Sequence, residues 1–252
     1  MRKHKIIHKG RRTATFEERS LPIDERSLSS IPTEEPHGQE VKINQVAKES
    51  AEEMTQITEM VKIQCPQQMR YLIQNLEMDD EETFLTAINT GDQIKIVSNG
   101  GLKRFGGFGW VAAIDEENIA SFHGRVTGSE DQMSSFRSET TGMAAAMYLF
   151  SKVAKAMESK PEVSLWTDNT GLVKRVEKLV ESDPIEAHLM PDHDMYAVIR
   201  DSLANLEVTE VGHVKGHQDR ESRTLTNTEK MNVEADRFAT LAVKDAKICE
   251  PE

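Results

Sequence analysis

Apolar residues follow two patterns along the chain, short runs and helical spacing. The runs predict strands, and the helical spacing predicts helices. Three short apolar runs, separated by tight turns, predict an antiparallel meander of strands over 94–97, 108–114 and 119–126. Two later runs predict further strands over 162–167 and 208–214. The segments between and after these runs show helical spacing instead.

Four helices are predicted where apolar residues repeat every three or four positions. The longest covers residues 136–157, and the others cover 170–180, 194–206 and 232–243. A capping box at Thr226-x-x-Glu229 marks the start of the last one. Three strands, a helix, a strand, two helices, a strand and a helix predict an α/β fold with a mixed five-stranded sheet flanked by helices.

The first part of the chain has a different composition. Residues 1–40 form a basic and then acidic stretch, interrupted by prolines, that predicts disorder. Residues 41–90 show helical spacing, and the pattern leaves open whether they pack on the following domain or form a separate arm. The folded domain is predicted over 91–246, with a tail at 247–252. The basic start is open to two interpretations, a localisation or nucleic-acid tail or an ordinary solvated terminus.

Composition limits the possible classes of function. Hydrophobic residues make up 37% of the 252 residues and charged residues 29%, as in soluble proteins. The net charge of −12 argues against a general nucleic-acid binder with a basic face, but not against acids gathered around metal ions. Cys65 and Cys249 provide neither a disulfide framework nor a zinc quartet. No membrane span or secretory signal is predicted, so we expect an intracellular protein, nuclear or cytoplasmic.

The stretch Val97-Ser98-Asn99-Gly100-Gly101 admits two interpretations. Asn-Gly is a strong signal for a hairpin turn. A polar side chain at the end of a strand, beside glycines, is also well placed to hold a metal ion.

Three acids follow in an order that suggests a common site. Glu139 lies early in the long predicted helix, Asp168 closes the fourth predicted strand, and Asp236 lies in the last helix. Each also has an ordinary interpretation: Glu139 as a solvated helix residue, Asp168 as the cap of the next helix, and Asp236 as an exposed acid paired with Arg237 or Lys230. Metal-dependent phosphodiester hydrolysis needs several such carboxylates converging on one point.

Residues 94–243 resemble a type 1 ribonuclease H domain, of the kind attached to retroelement reverse transcriptases. The matching motifs are "IVSNGG…FGGFGW", "FRSETTGMAAAMYL", "SLWTDNTGLV" and "GHVKGHQDR…NVEADRFATLA". The resemblance implies a ribonuclease H-like fold, RNA–DNA hybrid as the binding partner, and hydrolysis of its RNA strand. It also implies two Mg²⁺ ions, with Mn²⁺ as the alternative ion, held by four acids.

The implied metal ligands fall on Asn99, Glu139, Asp168 and Asp236, and the implied catalytic residues are the three acids with His217. In the family, that histidine assists product release or orients water. Asn99 stands where the family has the Asp that bridges both metals. An amide offers one neutral oxygen, and a missing charge about 4 Å away is worth on the order of 4 kcal/mol. We therefore expect strongly reduced or absent hydrolysis, and the alternative is a catalytically inactive module that binds nucleic acid or a protein partner.

Contacts with the hybrid are implied for residues around these motifs. They are Gly100, Lys103, Arg104, Asn169, Lys174, Arg175 and Lys215. The ordinary interpretation of the basic residues is a solvated helix face, paired with Glu177 and Glu181.

Three further features of the sequence are weaker signals. The acidic stretch 181–195 lacks the basic handle that many family members have there. Its His188 and His193 are open to two interpretations, a metal site or ordinary loop histidines, and the second is favoured. Gly106, Gly107 and Gly109 lack the context of a phosphate-binding loop. We expect these glycines to ease a hairpin and let the backbone approach the hybrid.

Overall fold

The computed structural model describes residues 61, 65–73, 81–128, 132–181, 191–218 and 223–245. The predicted tails at 1–40 and 247–252, most of the segment 41–90, and His188 lie outside the described residues. No helix in the described ranges has the length and apolar character needed to cross a bilayer.

A five-stranded mixed sheet forms the centre of the described structure. Its strands are β1 (Ile94–Leu102), β2 (Gly106–Ile114), β3 (Glu117–Arg125), β4 (Glu162–Thr167) and β5 (Glu207–His213), in the spatial order β3-β2-β1-β4-β5. The meander β1-β2-β3 is antiparallel, as predicted, whereas β4 pairs in parallel with both β1 and β5. The mixed sheet predicted from the sequence is therefore confirmed.

Five α-helices flank the sheet in the described residues. They are α1 (Glu81–Thr90), α2 (Ser135–Ala156), α3 (Thr170–Val180), α4 (His193–Ser202) and α5 (Asn227–Asp245), and a 3₁₀ helix covers Gln67–Leu72. Helix α5 begins at Asn227, directly after Thr226 of the predicted capping box: the Thr226 backbone N–H donates to Glu229, and the Glu229 N–H donates to the Thr226 hydroxyl.

Opposite faces of β1 contribute to two cores. Ile94 and Ile96 belong to the larger core with α1, α2 and α4, whereas Val97 packs with Ala235 and Phe238 of α5 in a smaller core. Leu72, Phe84 and Ile88 also belong to the larger core, so the described part of the 41–90 segment packs on the domain.

One interpretation of the first hairpin is wrong. Asn99-Gly100 is not a hairpin turn, because β1 continues to Leu102 and the turn lies at 103–105. Two glycines of β2 lie close to α5. A Cβ atom on Gly109 would lie 2.5 Å from the Ala235 carbonyl oxygen, and one on Gly107 would lie 2.6 Å from that of Ala239. These glycines allow α5 to approach the sheet.

Candidate active site

The site forms where the parallel pairing of the two central strands ends. The last parallel pair of β1 and β4 is Ser98 with Thr167. Asn99 and Asp168 each follow that pair by one residue, so the sheet places them side by side. The ends of such strands are where side chains converge in open α/β sheets.

Asn99 is 4% exposed, and its amide group makes hydrogen bonds within the protein. Its Oδ1 accepts from the Gly100 backbone N–H at 2.7 Å, while its Nδ2 donates to Asp168 Oδ2 at 3.4 Å and to Asn232 Oδ1 at 3.3 Å. A backbone N–H is only a donor, so it must face the amide oxygen. The amide nitrogen of Asn99 therefore points at the Asp168 carboxylate.

Glu139 reaches the site because α2 lies directly on β1. A Cβ atom on Gly100 would stand 2.3 Å from the Glu139 backbone nitrogen, so only glycine permits this approach. The Glu139 side chain is 8% exposed, and its Oε2 has no hydrogen-bond partner among the described residues. The interpretation of Glu139 as a solvated helix residue is therefore wrong.

The environment of Glu139 favours its neutral form. Burial, and then the nearby Asp168 carboxylate, raise the pKa of Glu139 to about 8, although hydrogen bonds from Asn169 and Thr167 act in the other direction. A buried carboxyl with an unpaired oxygen resists ionisation when no cation lies beside it.

Four neighbouring side chains influence the pKa of Asp168. Burial and the Asp236 carboxylate raise its pKa, while His217, Asn99 and His213 act in the opposite direction. The loop after β5 passes close by, since a Cβ atom on Gly216 would lie 2.6 Å from Asp168 Oδ2. Asp168 is thus held between the end of β1 and the loop that carries His217.

The cap of α3 is Asn169, not Asp168. Asn169 Oδ1 accepts from the backbone N–H groups of Gly171 and Leu172 at 2.8 and 3.1 Å. The interpretation of Asp168 as a helix cap is therefore wrong, and its carboxylate faces the site instead.

Asp236 comes from the opposite layer, on α5. It lies one helical turn after Asn232, so both side chains point to the same region of the sheet. Asp236 is half-buried, and Arg237 pairs with Glu234 at 3.5 Å.

His217 is exposed on the loop after β5 and has a left-handed backbone, with φ 55°. The adjacent Gln218 is fully buried and accepts a hydrogen bond from Arg223, which also pairs with Glu229 of α5. This connection fixes the base of the loop near Asp168.

The side chains do not fit a pair of divalent cations as arranged. Within the described ranges, no group of three or more His, Cys, Asp and Glu side chains is gathered closely enough to hold an ion. Asn99 stands where the resemblance implies a metal ligand, and its amide presents hydrogens to Asp168. An N–H group repels a cation, whereas Mg²⁺ requires oxygen ligands.

The predicted hybrid contacts fall into two groups. Lys103, Arg104, Lys174 and Lys215 have exposed side chains. The other three residues have roles in the fold, which for Gly100 and Asn169 are described above. Arg175 lies over the Phe136 ring, with 4.4 Å from its Cζ to the ring centroid, and donates to the Tyr196 hydroxyl at 3.2 Å.

The described end of the acidic stretch 181–195 has a structural role. Asp192 and Asp194 both pair with Arg137, at 2.8 and 2.7 Å, and the Arg137 side chain is 8% exposed. These ion pairs fix the start of α4 against α2. Their shared partner, Arg137, lies two residues before Glu139. His193 is an exposed residue in the first turn of α4.

Sequence reasoning missed two residues of this site. Asn232 is 1% exposed and contacts Asn99, and its spacing of four from Asp236 was the available signal. Gly216 had no signal beyond being a glycine beside His217, because its role depends on how closely the loop passes Asp168.

Comparisons with known proteins find similarity at the level of structure. No protein-family model matches the sequence, and a search of curated proteins finds no match either. Ribonuclease H1 from the archaeon Halobacterium salinarum aligns over 61% of this chain and 98% of its own, at 18% identity and a TM-score of 0.40. The N-terminal RNase H domain of a Mycobacterium tuberculosis protein aligns over 62% and 96%, at 15% identity and a TM-score of 0.42.

A viral structure matches as well. The prototype foamy virus protease-reverse transcriptase aligns over 59% of this chain but only 20% of its own, at 17% identity and a TM-score of 0.41. The described residues themselves form the mixed five-stranded sheet predicted from the sequence, in the order β3-β2-β1-β4-β5.

Proposed function

We propose that this chain binds RNA–DNA hybrids through its ribonuclease H-like domain and that its hydrolysis of the RNA strand is strongly reduced. The observation that carries the proposal is the orientation of Asn99, whose amide nitrogen faces Asp168 and Asn232. The electrostatic influence of Asp236 and His217 on Asp168, and of Asp168 on Glu139, supports descent from a hybrid ribonuclease.

Charge explains why the loss of one acid matters. Two divalent cations bring four positive charges into a small space, and Asn99 contributes no negative charge to balance them. One unit charge at about 4 Å is worth on the order of 4 kcal/mol at an effective dielectric constant near 20. That energy corresponds to about a thousandfold in metal occupancy or rate.

The same network supports a second candidate, a catalytically inactive module that binds nucleic acid or a protein partner. Asn99 supplies Asp168 with a hydrogen-bond donor, so this half-buried carboxylate is partly satisfied without a metal. This candidate differs from the first in one respect, which is whether any metal-dependent cleavage remains.

One experiment tests the proposal with two readouts. Binding of a fluorescent RNA–DNA hybrid to the full chain is measured by anisotropy in EDTA, and cleavage of its RNA strand is measured in Mg²⁺ and in Mn²⁺. Asp168→Asn serves as the background control for cleavage. We expect measurable binding, with cleavage far below that of an intact ribonuclease H and above that of Asp168→Asn. Cleavage equal to that of the control would favour the inactive module, and an absence of binding would refute the proposal.

A further inference from the structure

A groove lies where the C-terminal halves of α2 and α4 meet the 3₁₀ helix. It consists of two cavities of about 320 and 490 Å³. Both cavities are lined by Pro66, Tyr148, Lys152 and Lys155, so they adjoin each other. Lys152 follows Glu139 by 13 positions on α2, which corresponds to about 20 Å along a helix. The groove is therefore separate from the candidate active site.

The floor of the groove is apolar and its rim is basic. Its apolar lining is Val61, Met69, Tyr148, Ala156, Ala197 and Val198. Lys152 and Lys155 on the rim have exposed side chains, and neither forms an ion pair with another described residue. Asp201, which also lines the groove, pairs with Arg200 instead. An apolar floor beside two such cations matches an amphipathic helix with acids next to its apolar stripe.

The chain enters the groove from residues 43–60, which lie outside the described residues. Val61 has a helical backbone, is 6% exposed and lines the groove. It is the last position of an apolar stripe whose other members are Ile43, Val46, Ala47, Met54 and Ile57. On a helix these positions fall within a sector of about 100°. Because Val61 is buried at the groove, a helix that runs back from it presents the same stripe to the floor.

The charge of this segment complements the rim. Residues 43–60 contain four Glu and one Lys, a net charge of −3. Glu49 and Glu53 lie four positions apart along one edge of the stripe, and Lys152 and Lys155 lie one turn apart on α2. A helix of this length is only marginally stable alone in water, so packing of its apolar face must stabilise it.

We propose that residues 43–60 form an amphipathic helix that docks in this groove of the same chain, with its flanking acids beside Lys152 and Lys155. The connection favours the same chain over a separate partner, because Val61 already lies in the groove and holds the segment at high effective concentration. The inference is independent of the proposed function, since it uses no residue of the candidate active site.

Hydrogen exchange of the full chain without nucleic acid, followed by mass spectrometry of peptides from 43–60, tests the proposal. The test variant is Lys152→Glu/Lys155→Glu. The matched control is Lys174→Glu/Lys178→Glu, which reverses the same charges at exposed positions on α3, a helix that contributes no described residue to the groove. Peptides from β1 and α5 check that the fold of each variant is intact.

The expected result is protection that depends on opposite charges. We expect wild-type peptides from 43–60 to exchange at least about tenfold more slowly than an unstructured chain. The test variant should lose about tenfold in protection, because two attractive pairs become repulsive, whereas the control should match wild type. Glu49→Lys/Glu53→Lys should have the same effect, and combining both reversals should restore protection.

A second pair of variants tests the apolar stripe. Ile57→Asp places a charge on the stripe, whereas Thr55→Asp places the same charge on the polar side of the predicted helix. We expect Ile57→Asp to reduce the protection of the segment at least about tenfold, because it removes a large apolar side chain from the floor. Thr55→Asp should leave the protection near that of wild type.

Three results would overturn the proposal. The first is rapid exchange of 43–60 in the wild type, which would show that the segment does not dock. The second is protection that Lys152→Glu/Lys155→Glu leaves unchanged, because the segment would then pack elsewhere. The third is protection that falls on dilution together with a dimer in light scattering, which would assign the groove to the segment of a second copy.

Discussion

Replacing Glu139 with glutamine should stabilise the protein in a way that depends on pH. Burial and the neighbouring Asp168 raise the pKa of Glu139 from its ordinary value of 4.5 to about 8. An acid with a raised pKa binds its proton more tightly in the folded state. The free energy of unfolding therefore falls as pH rises above about 4.5, and the loss is complete above about 8.

The size of the effect follows from the shift. Each pKa unit is worth about 1.4 kcal/mol, so full ionisation of Glu139 costs about 5 kcal/mol. Linkage gives a cost of about 1 kcal/mol at pH 5 and nearly the full amount at pH 9. The glutamine side chain of the Glu139→Gln variant is neutral throughout, so the advantage of the variant over wild type should grow by about 4 kcal/mol between these pH values.

Urea unfolding of the full chain in EDTA, at pH 5, 7 and 9, measures this difference directly. Glu177→Gln is the control, because it makes the same chemical change at an exposed position on α3. In thermal unfolding, the predicted change corresponds to about 8 to 16 °C. An advantage of Glu139→Gln that is constant from pH 5 to pH 9 would refute the reasoning about burial.

Two further predictions compare matched substitutions. Gly100→Ala should destabilise the protein by about 3 kcal/mol or more, because its Cβ atom would meet the α2 backbone at 2.3 Å, whereas Gly101→Ala finds 3.9 Å of space and should cost far less. Urea unfolding of the pair checks this, and equal losses would contradict it. Arg137→Met leaves two carboxylates without their partner and should cost about 3 kcal/mol, whereas Arg200→Met removes an exposed pair and should cost at most about 1 kcal/mol. The same assay decides between these outcomes.

Most of the fold could be predicted from local patterns in the sequence. Short apolar runs predicted all five strands, helical spacing predicted the helices of the domain, and Thr226 with Glu229 marked the start of α5. The end of β1 was predicted too early, because the glycine-rich sequence after Val97 is typical of a turn. Pairing with β2 extends the strand to Leu102, and this is a tertiary effect that the sequence of one strand does not contain.

The candidate site was only partly predictable for the same reason. Its acids were found through their order along the chain, but the amide orientation of Asn99 depends on Gly100, Asn232 and Asp168, which come from three different elements. The role of Arg175 in packing likewise depends on Phe136 and Tyr196. Contacts between elements distant in sequence decide such roles, and no periodicity encodes them.

Cleavage of an RNA–DNA hybrid in Mg²⁺ by wild type and by Asn99→Asp measures how far the Asn99 amide reduces hydrolysis. The substitution replaces the amide that faces Asp168 with a carboxylate, and it leaves Glu139, Asp168, Asp236 and His217 in place. We expect single-turnover cleavage by Asn99→Asp to exceed that of wild type by at least about a hundredfold, in line with a missing charge worth several kcal/mol. Equal rates for the two proteins would contradict it.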